Sequence, residues 1–98
     1  EIDTAKVPIL TEAEELARFG FIPEGRYNNL DWVNGKIYYS PSIPLEKRDL
    51  MLDPQTSGGL LFFLPMEDAE TLVKRMDKDY VRIIGRVKKK GEYSVEFI

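Results

Sequence analysis

An α+β layer structure, with helices packed on a mixed or antiparallel sheet, is the fold class the sequence predicts for a single domain over residues 1–98. Three observations carry it. Met66, Ala69, Leu72, Val73 and Met76 recur at spacings of three and four, which lines one side of a helix. Leu60-Leu61-Phe62-Phe63-Leu64, set between a glycine pair and Pro65, reads as a strand buried on both faces. Val81 to Lys88 alternates, with Val81, Ile83 and Val87 on one face and Arg82, Arg86 and Lys88 mostly on the other. A helix, an irregular arm, a strand, a helix and two strands in that order suit helices laid on one sheet.

The first helix begins after a short extended entry. Thr11 and Glu14 are spaced as a capping box, in which each side chain satisfies a free N–H of the first turn. Ala13, Leu16 and Ala17 share a face, and Gly20 stands where a left-handed cap ends a helix, with Phe21 set to pack back on Leu16. The arm from Ile22 to Pro44 is rich in Pro, Gly, Asn and Tyr, which favours turns and short strands. Its best strand candidate is Lys36-Ile37-Tyr38-Tyr39, Asn28 and Asn29 make turn contacts, and Ile22–Ile43 is expected to be the loosest part. Pro44 opens a short helix through Leu45 to Met51.

Phe62, the helix after it and Ile83 suit a right-handed parallel crossover. For the terminal hairpin, a three-residue loop at Lys89-Lys90-Gly91 pairs Val87 with Tyr93, Ile83 with Phe97 and Lys88 with Glu92. A two-residue loop would mix apolar with polar partners, because a one-residue slip exchanges the faces of a strand.

Composition removes whole classes of chemistry. With no cysteine and no histidine, the chain has no disulfide, thiolate zinc site, thiol nucleophile or imidazole acid–base. Fourteen basic against 17 acidic side chains argue against a nucleic-acid module, which shows a basic face. The longest apolar run is far short of the ~20 residues of a membrane span, and no stretch reads as a signal peptide. The lack of cysteine fits a cytoplasmic protein. Because the chain opens at Glu1 and not at a methionine, it is expected to be a piece of something longer.

The most informative stretch is Asp53-Pro54-Gln55-Thr56-Ser57-Gly58-Gly59-Leu60-Leu61. Pro54 keeps Asp53 out of helical geometry. The backbone N–H groups of Thr56 to Gly59 offer a nest for a phosphate oxygen, with Asp53 placed to contact a magnesium ion or orient a water. Against that, phosphate loops feed a helix whose dipole assists the anion, and here a strand follows. On physics alone, a structural turn that starts a buried strand is favoured. Gly58 is expected to need a positive φ.

This stretch resembles the most distinctive motif in the C-terminal part of selenophosphate synthetase (selenide, water dikinase), of the aminoimidazole ribonucleotide synthetase superfamily. A second segment, Gly20-Phe21-Ile22-Pro23-Glu24-Gly25-Arg26-Tyr27-Asn28-Asn29, is similar to that family's glycine, two apolar residues, Pro-Gly-Gly, Thr-Tyr-Arg-Asn. Gly20, Pro23, Gly25, Tyr27 and Asn29 fit, while Glu24, Arg26 and Asn28 depart from it. The entry Ile2-Asp3 with Val7-Pro8 and the late Ile83-Ile84-Gly85-Arg86-Val87 also match.

The resemblance implies the latter part of the C-terminal domain of a two-domain, homodimeric, magnesium-dependent enzyme. That enzyme uses ATP, selenide and water to make selenophosphate, AMP and orthophosphate. The family's reactive cysteine or selenocysteine, its lysine and its metal-binding aspartates have no counterpart here, so no catalytic or metal-binding residue is carried over. Neither ATP nor Mg2+ is expected on this piece alone, and its first partner is the missing N-terminal domain. The nucleotide-cleft candidates are Asp53, Gln55, Thr56, Ser57, Gly58 and Gly59. The alternative is a non-catalytic interaction or packing module on the same scaffold.

Other features read as structural. Asp77-Lys78-Asp79 is a solvated helix end, and Arg86 with Lys88, Lys89 and Lys90 is a charged tip that discourages edge-to-edge aggregation. Trp32, Tyr27, Tyr38 and Tyr39 pack the arm against the core or the missing domain.

Overall fold

The computed structural model describes all residues from Glu1 to Ile98. In chain order the elements are α1 (Thr11–Arg18), α2 (Glu24–Val33), β1 (Ile37–Tyr39), α3 (Leu45–Leu50), α4 (Met66–Met76) and β2 (Val95–Phe97). The α+β class stands, but the sheet is two-stranded and parallel, not antiparallel. Ile37, Tyr38 and Tyr39 pair with Val95, Glu96 and Phe97.

The predicted hairpin does not form, and the reason lies in the entry segment. Ile2 is bridged to Phe97 in parallel and to Gly85 in antiparallel fashion. The Ile2 N–H donates to the Glu96 carbonyl (2.7 Å), and Asp3 N–H to that of Ile84 (2.8 Å). Residues 1–4 therefore lie between the two stretches that a hairpin would have joined. Gly85 is required by this insertion, since a Cβ there would collide with the Glu1 carbonyl and Ile2 Cα. Lys88, predicted opposite Glu92, instead bridges Glu1 (3.0 Å) and Glu96 (2.8 Å).

The first helix ends as its sequence predicts. Gly20 has φ +84°, its N–H donates to Ala17 O, and Phe21 N–H to Leu16 O, the paired bonds of a Schellman ending. Its start differs. Leu10 occupies the cap position, Thr11 is already helical, and no side chain caps the end, so there is no capping box. Glu14 turns instead to Lys47 (3.4 Å), which helps to seat α1 on α3. The helix opened by Pro44 and the strand at 37–39 lie where they were expected.

The arm holds an unpredicted helix, α2. Its sequence, EGRYNNLDWV, is poor in strong helix formers and has no apolar stripe. Tertiary bonds override that local weakness, as the site below shows. The arm also supplies β1, so it is better tied than the sequence implied.

The Leu60–Leu64 strand is the largest correction. These residues belong to no strand and are all exposed, from 44% at Leu64 to 83% at Leu60. No main-chain N–H or C=O from Gln55 to Leu64 makes a hydrogen bond within the chain. Hence there is no ladder to Ile83 and no closed parallel crossover, although α4 forms over the predicted residues. The buried apolar residues are only Ala17, Ile43, Leu52 and Phe97. The chain exposes 7897 Å², whereas a folded monomer of 11.3 kDa exposes roughly 5,700 Å².

Candidate functional site

The two segments that carry the family resemblance meet in space. Gly20 turns the chain out of α1, Pro23 caps α2, and residues 25, 26 and 29 fall on one helical face. Each of the three reaches the stretch 49–54. A Cβ on Gly25 would lie 2.9 Å from Pro54 Cγ, so the bare glycine lets the proline ring seat on the helix. The Asn29 amide donates to the Leu52 carbonyl at 2.8 Å. The Arg26 guanidinium pairs with the Asp49 carboxylate in a nearly closed environment.

These contacts set where the Asp53 turn leaves the body of the protein. Asp53 N–H donates to Leu50 O (3.3 Å), closing the turn after α3, and Pro54 prevents further helix. The Gln55 amide then donates to the Asp53 carboxylate at 2.6 Å. Asp53 and Gln55 border a groove of about 460 Å³ whose other walls include Val7, Leu10, Leu16 and Phe21. It is an apolar groove with one polar lip.

Thr56, Ser57, Gly58 and Gly59 are not among the residues lining that groove, and all four are exposed. Their N–H groups and both hydroxyls are free of protein partners. Positive φ occurs at Gly20 and Gly35 but not at Gly58 or Gly59, so a nest of alternating hand is not built. The expected left-handed Gly58 is therefore corrected; its crowding comes from Gln55 Cβ, 3.1 Å from where its own Cβ would stand. The six predicted cleft residues thus divide into an anchored pair, 53 and 55, and a projecting loop of free donors, 56–59.

Arg26, Asn29 and Asp49 were not singled out as site residues, and Asn29 was read as a turn former. The spacing of Gly25 and Asn29, four apart, is a signal that places them on one helical face, but only in a segment already known to be helical. Behind them lies a second polar cluster. Arg48 donates to the carbonyls of Ile43 (2.8 Å) and Ser40 (3.2 Å), and its guanidinium stands 5.6 Å from the Tyr39 ring centre. Tyr39 in turn stacks on Phe97, with ring centres 4.8 Å apart. Burial pushes the Tyr39 phenol above its ordinary pKa, against the opposing pull of Arg26 and Arg48.

Nowhere do three or more carboxylates converge as metal ligands. Asp77 and Asp79 lie exposed beyond α4, with Asp77 itself left-handed at φ 47°. Trp32 is exposed, with the Lys36 ammonium 4.4 Å above its ring. No helix is long and apolar enough to cross a membrane.

Sequence comparison supplies the context for these segments. Over 94 residues, 94% of its length, the chain is 45% identical to a selenide, water dikinase of Clostridium botulinum (strain Alaska E43 / Type E3), of which it covers 27%. It is 43% identical to the selenide, water dikinase of Caldanaerobacter subterraneus subsp. tengcongensis, over 97% of this chain and 28% of that protein. Identity to the Treponema denticola protein of the same name is 38%, over 94% of this chain and 28% of that protein. The chain spans about a quarter of the length of the curated relatives it matches. No family model and no solved structure matches it. The resemblance read from residues 20–29 and 53–61 is thereby borne out.

Proposed function

We propose that this chain is a segment of a selenide, water dikinase, from the latter part of its C-terminal domain in the aminoimidazole ribonucleotide synthetase-like fold. In the whole enzyme, a cytoplasmic homodimer, ATP, selenide and water give selenophosphate, AMP and orthophosphate. The segment's task is to shape one wall of the nucleotide cleft, and the reacting groups belong to the rest of the protein.

One observation carries the reading: the two motif segments are fastened to each other by Gly25 on Pro54 and Asn29 on Leu52. That fastening fixes the root of a loop whose free N–H groups and hydroxyls suit phosphate oxygens. Magnesium finds no ligand cluster on this chain and would be held by the N-terminal domain together with the phosphates of ATP. Binding and orientation are the roles these residues take in this reading, and the chain offers neither a thiol nucleophile nor an imidazole acid–base.

The test is a chimera in which this chain replaces the matching stretch of the Clostridium botulinum relative. Selenide-dependent formation of AMP from ATP is the expected result, and the isolated 98-residue chain should form none. Thr56→Val with Ser57→Ala in the chimera should raise KM for ATP about 10-fold or more, as expected for lost phosphate hydrogen bonds. A folded chimera without activity, or AMP formation by the isolated chain, contradicts the reading.

A further inference from the structure

Leu60–Leu64 is the least satisfied part of the molecule. Its five side chains are exposed and the main chain on either side of each is unpaired. In an extended segment Leu60, Phe62 and Leu64 fall on one face, with Leu61 and Phe63 on the other. A strand apolar on both faces belongs in the middle of a sheet covered on both sides. This chain provides neither the neighbouring strands nor the covering layers. The helix that follows repeats the pattern, since its apolar stripe keeps Met66 and Met76 about half exposed.

Resting on the reading of the chain as a segment of a longer enzyme, we propose that Leu60–Leu64 docks by strand addition. Its partner is an extended, apolar-flanked strand in the polypeptide that lies outside this chain in its longer relatives. The surface supports this occupant. The chain exposes roughly 2,200 Å² more than a folded monomer of its mass, and an obligate interface buries about 2,000–5,000 Å² in total. The relatives are about three and a half times as long, so polypeptide able to cover it exists in them. A second copy fits less well: pairing two five-residue strands about a twofold axis satisfies one edge and leaves both apolar faces of each strand in water. Docking also pulls the 56–59 loop taut between Pro54, held on α2, and the paired strand. That tether gives the free phosphate-facing donors a fixed position.

The experiment mixes the 98-residue chain with the Clostridium botulinum relative from which the matching stretch has been deleted. Amide hydrogen exchange is followed by mass spectrometry, and selenide-dependent AMP formation is assayed on the same sample. The expected result is a complex in which amides 60–64 slow by about 100-fold or more relative to the free chain. Phe62→Pro should abolish the complex and Phe62→Tyr should keep it. Because residue 62 makes no main-chain bond in the free chain, circular dichroism and exchange elsewhere should be unchanged by the proline. Absence of a complex, a complex whose 60–64 amides still exchange freely, or self-association that protects them without the added polypeptide would each overturn the proposal. Activity restored with those amides open sinks strand addition while sparing the functional reading. Protected amides without activity support strand addition and count against that reading.

Discussion

The entry segment and the Leu60–Leu64 run are both short extended pieces of the same chain, yet their circumstances are opposite. Residues 1–4 are bonded on both edges, to 84–86 on one side and 96–98 on the other, and Thr4 is buried with its hydroxyl on the Ile98 carbonyl at 2.9 Å. Residues 60–64 carry more apolar surface and have no bonded edge. Hydrophobicity alone therefore does not place a strand inside. A strand goes in when neighbours exist to take its N–H and C=O groups, because unpaired main chain is costly to bury. The well-tied region is a frame, and residues 55–64 are a limb that the frame leaves unpaired.

Substitutions should separate frame from limb. The largest effect belongs to Asp49→Ala, which leaves the buried Arg26 guanidinium without its counter-charge and should cost about 3–5 kcal/mol, measured by urea unfolding. Gly85→Val drives a side chain into the Glu1–Ile2 backbone and should cost about 3 kcal/mol, with loss of the protected Ile2 and Ile98 amides. Gly20→Ala forces a left-handed alanine at the end of α1, for about 1 kcal/mol.

A smaller effect is expected from pH. The Lys88 ammonium, with lesser help from Arg86, holds the Glu1 carboxyl below its ordinary value of 4.5. Its contribution is thus complete above that value and fades as pH falls through the lowered one. Lys88 is raised above 10.5 by Glu96 and then Glu1, so its share is complete below 10.5 and fades as pH rises through the raised value. Thermal unfolding across pH should show this plateau, and Lys88→Met should flatten both shoulders. Least of all, Phe63→Ser should change the stability of the isolated chain by less than about 0.5 kcal/mol. A large loss there would erase the distinction between the two regions.

Local chemistry was well written in the sequence. The Gly20 ending of α1, the stripe of α4, the short strand at 37–39 and the Pro44 start of α3 all depend on neighbouring residues, and all are present. What failed depends on distant partners. Helix α2 exists through Asp49, Leu52 and Pro54, which lie some 23 to 29 residues from the groups they hold. The hairpin fails because residues 1–4 take the intervening position, and no periodicity within 81–97 announces that. For the site, the turn at Asp53–Pro54 was legible from the proline, whereas its clasp by Arg26 and Asn29 was not. The buried strand misled for a related reason: five apolar residues state a need for cover without saying which chain meets it.

Native-state hydrogen exchange on the isolated 98-residue chain tests the contrast most directly. Amides of Ile2, Thr4, Ser40 and Ile98 should be strongly protected, while those of residues 55–64 exchange at nearly the rate of unstructured peptide. Protection of residues 60–64 comparable to that of Ile2 in the monomeric chain would contradict the account.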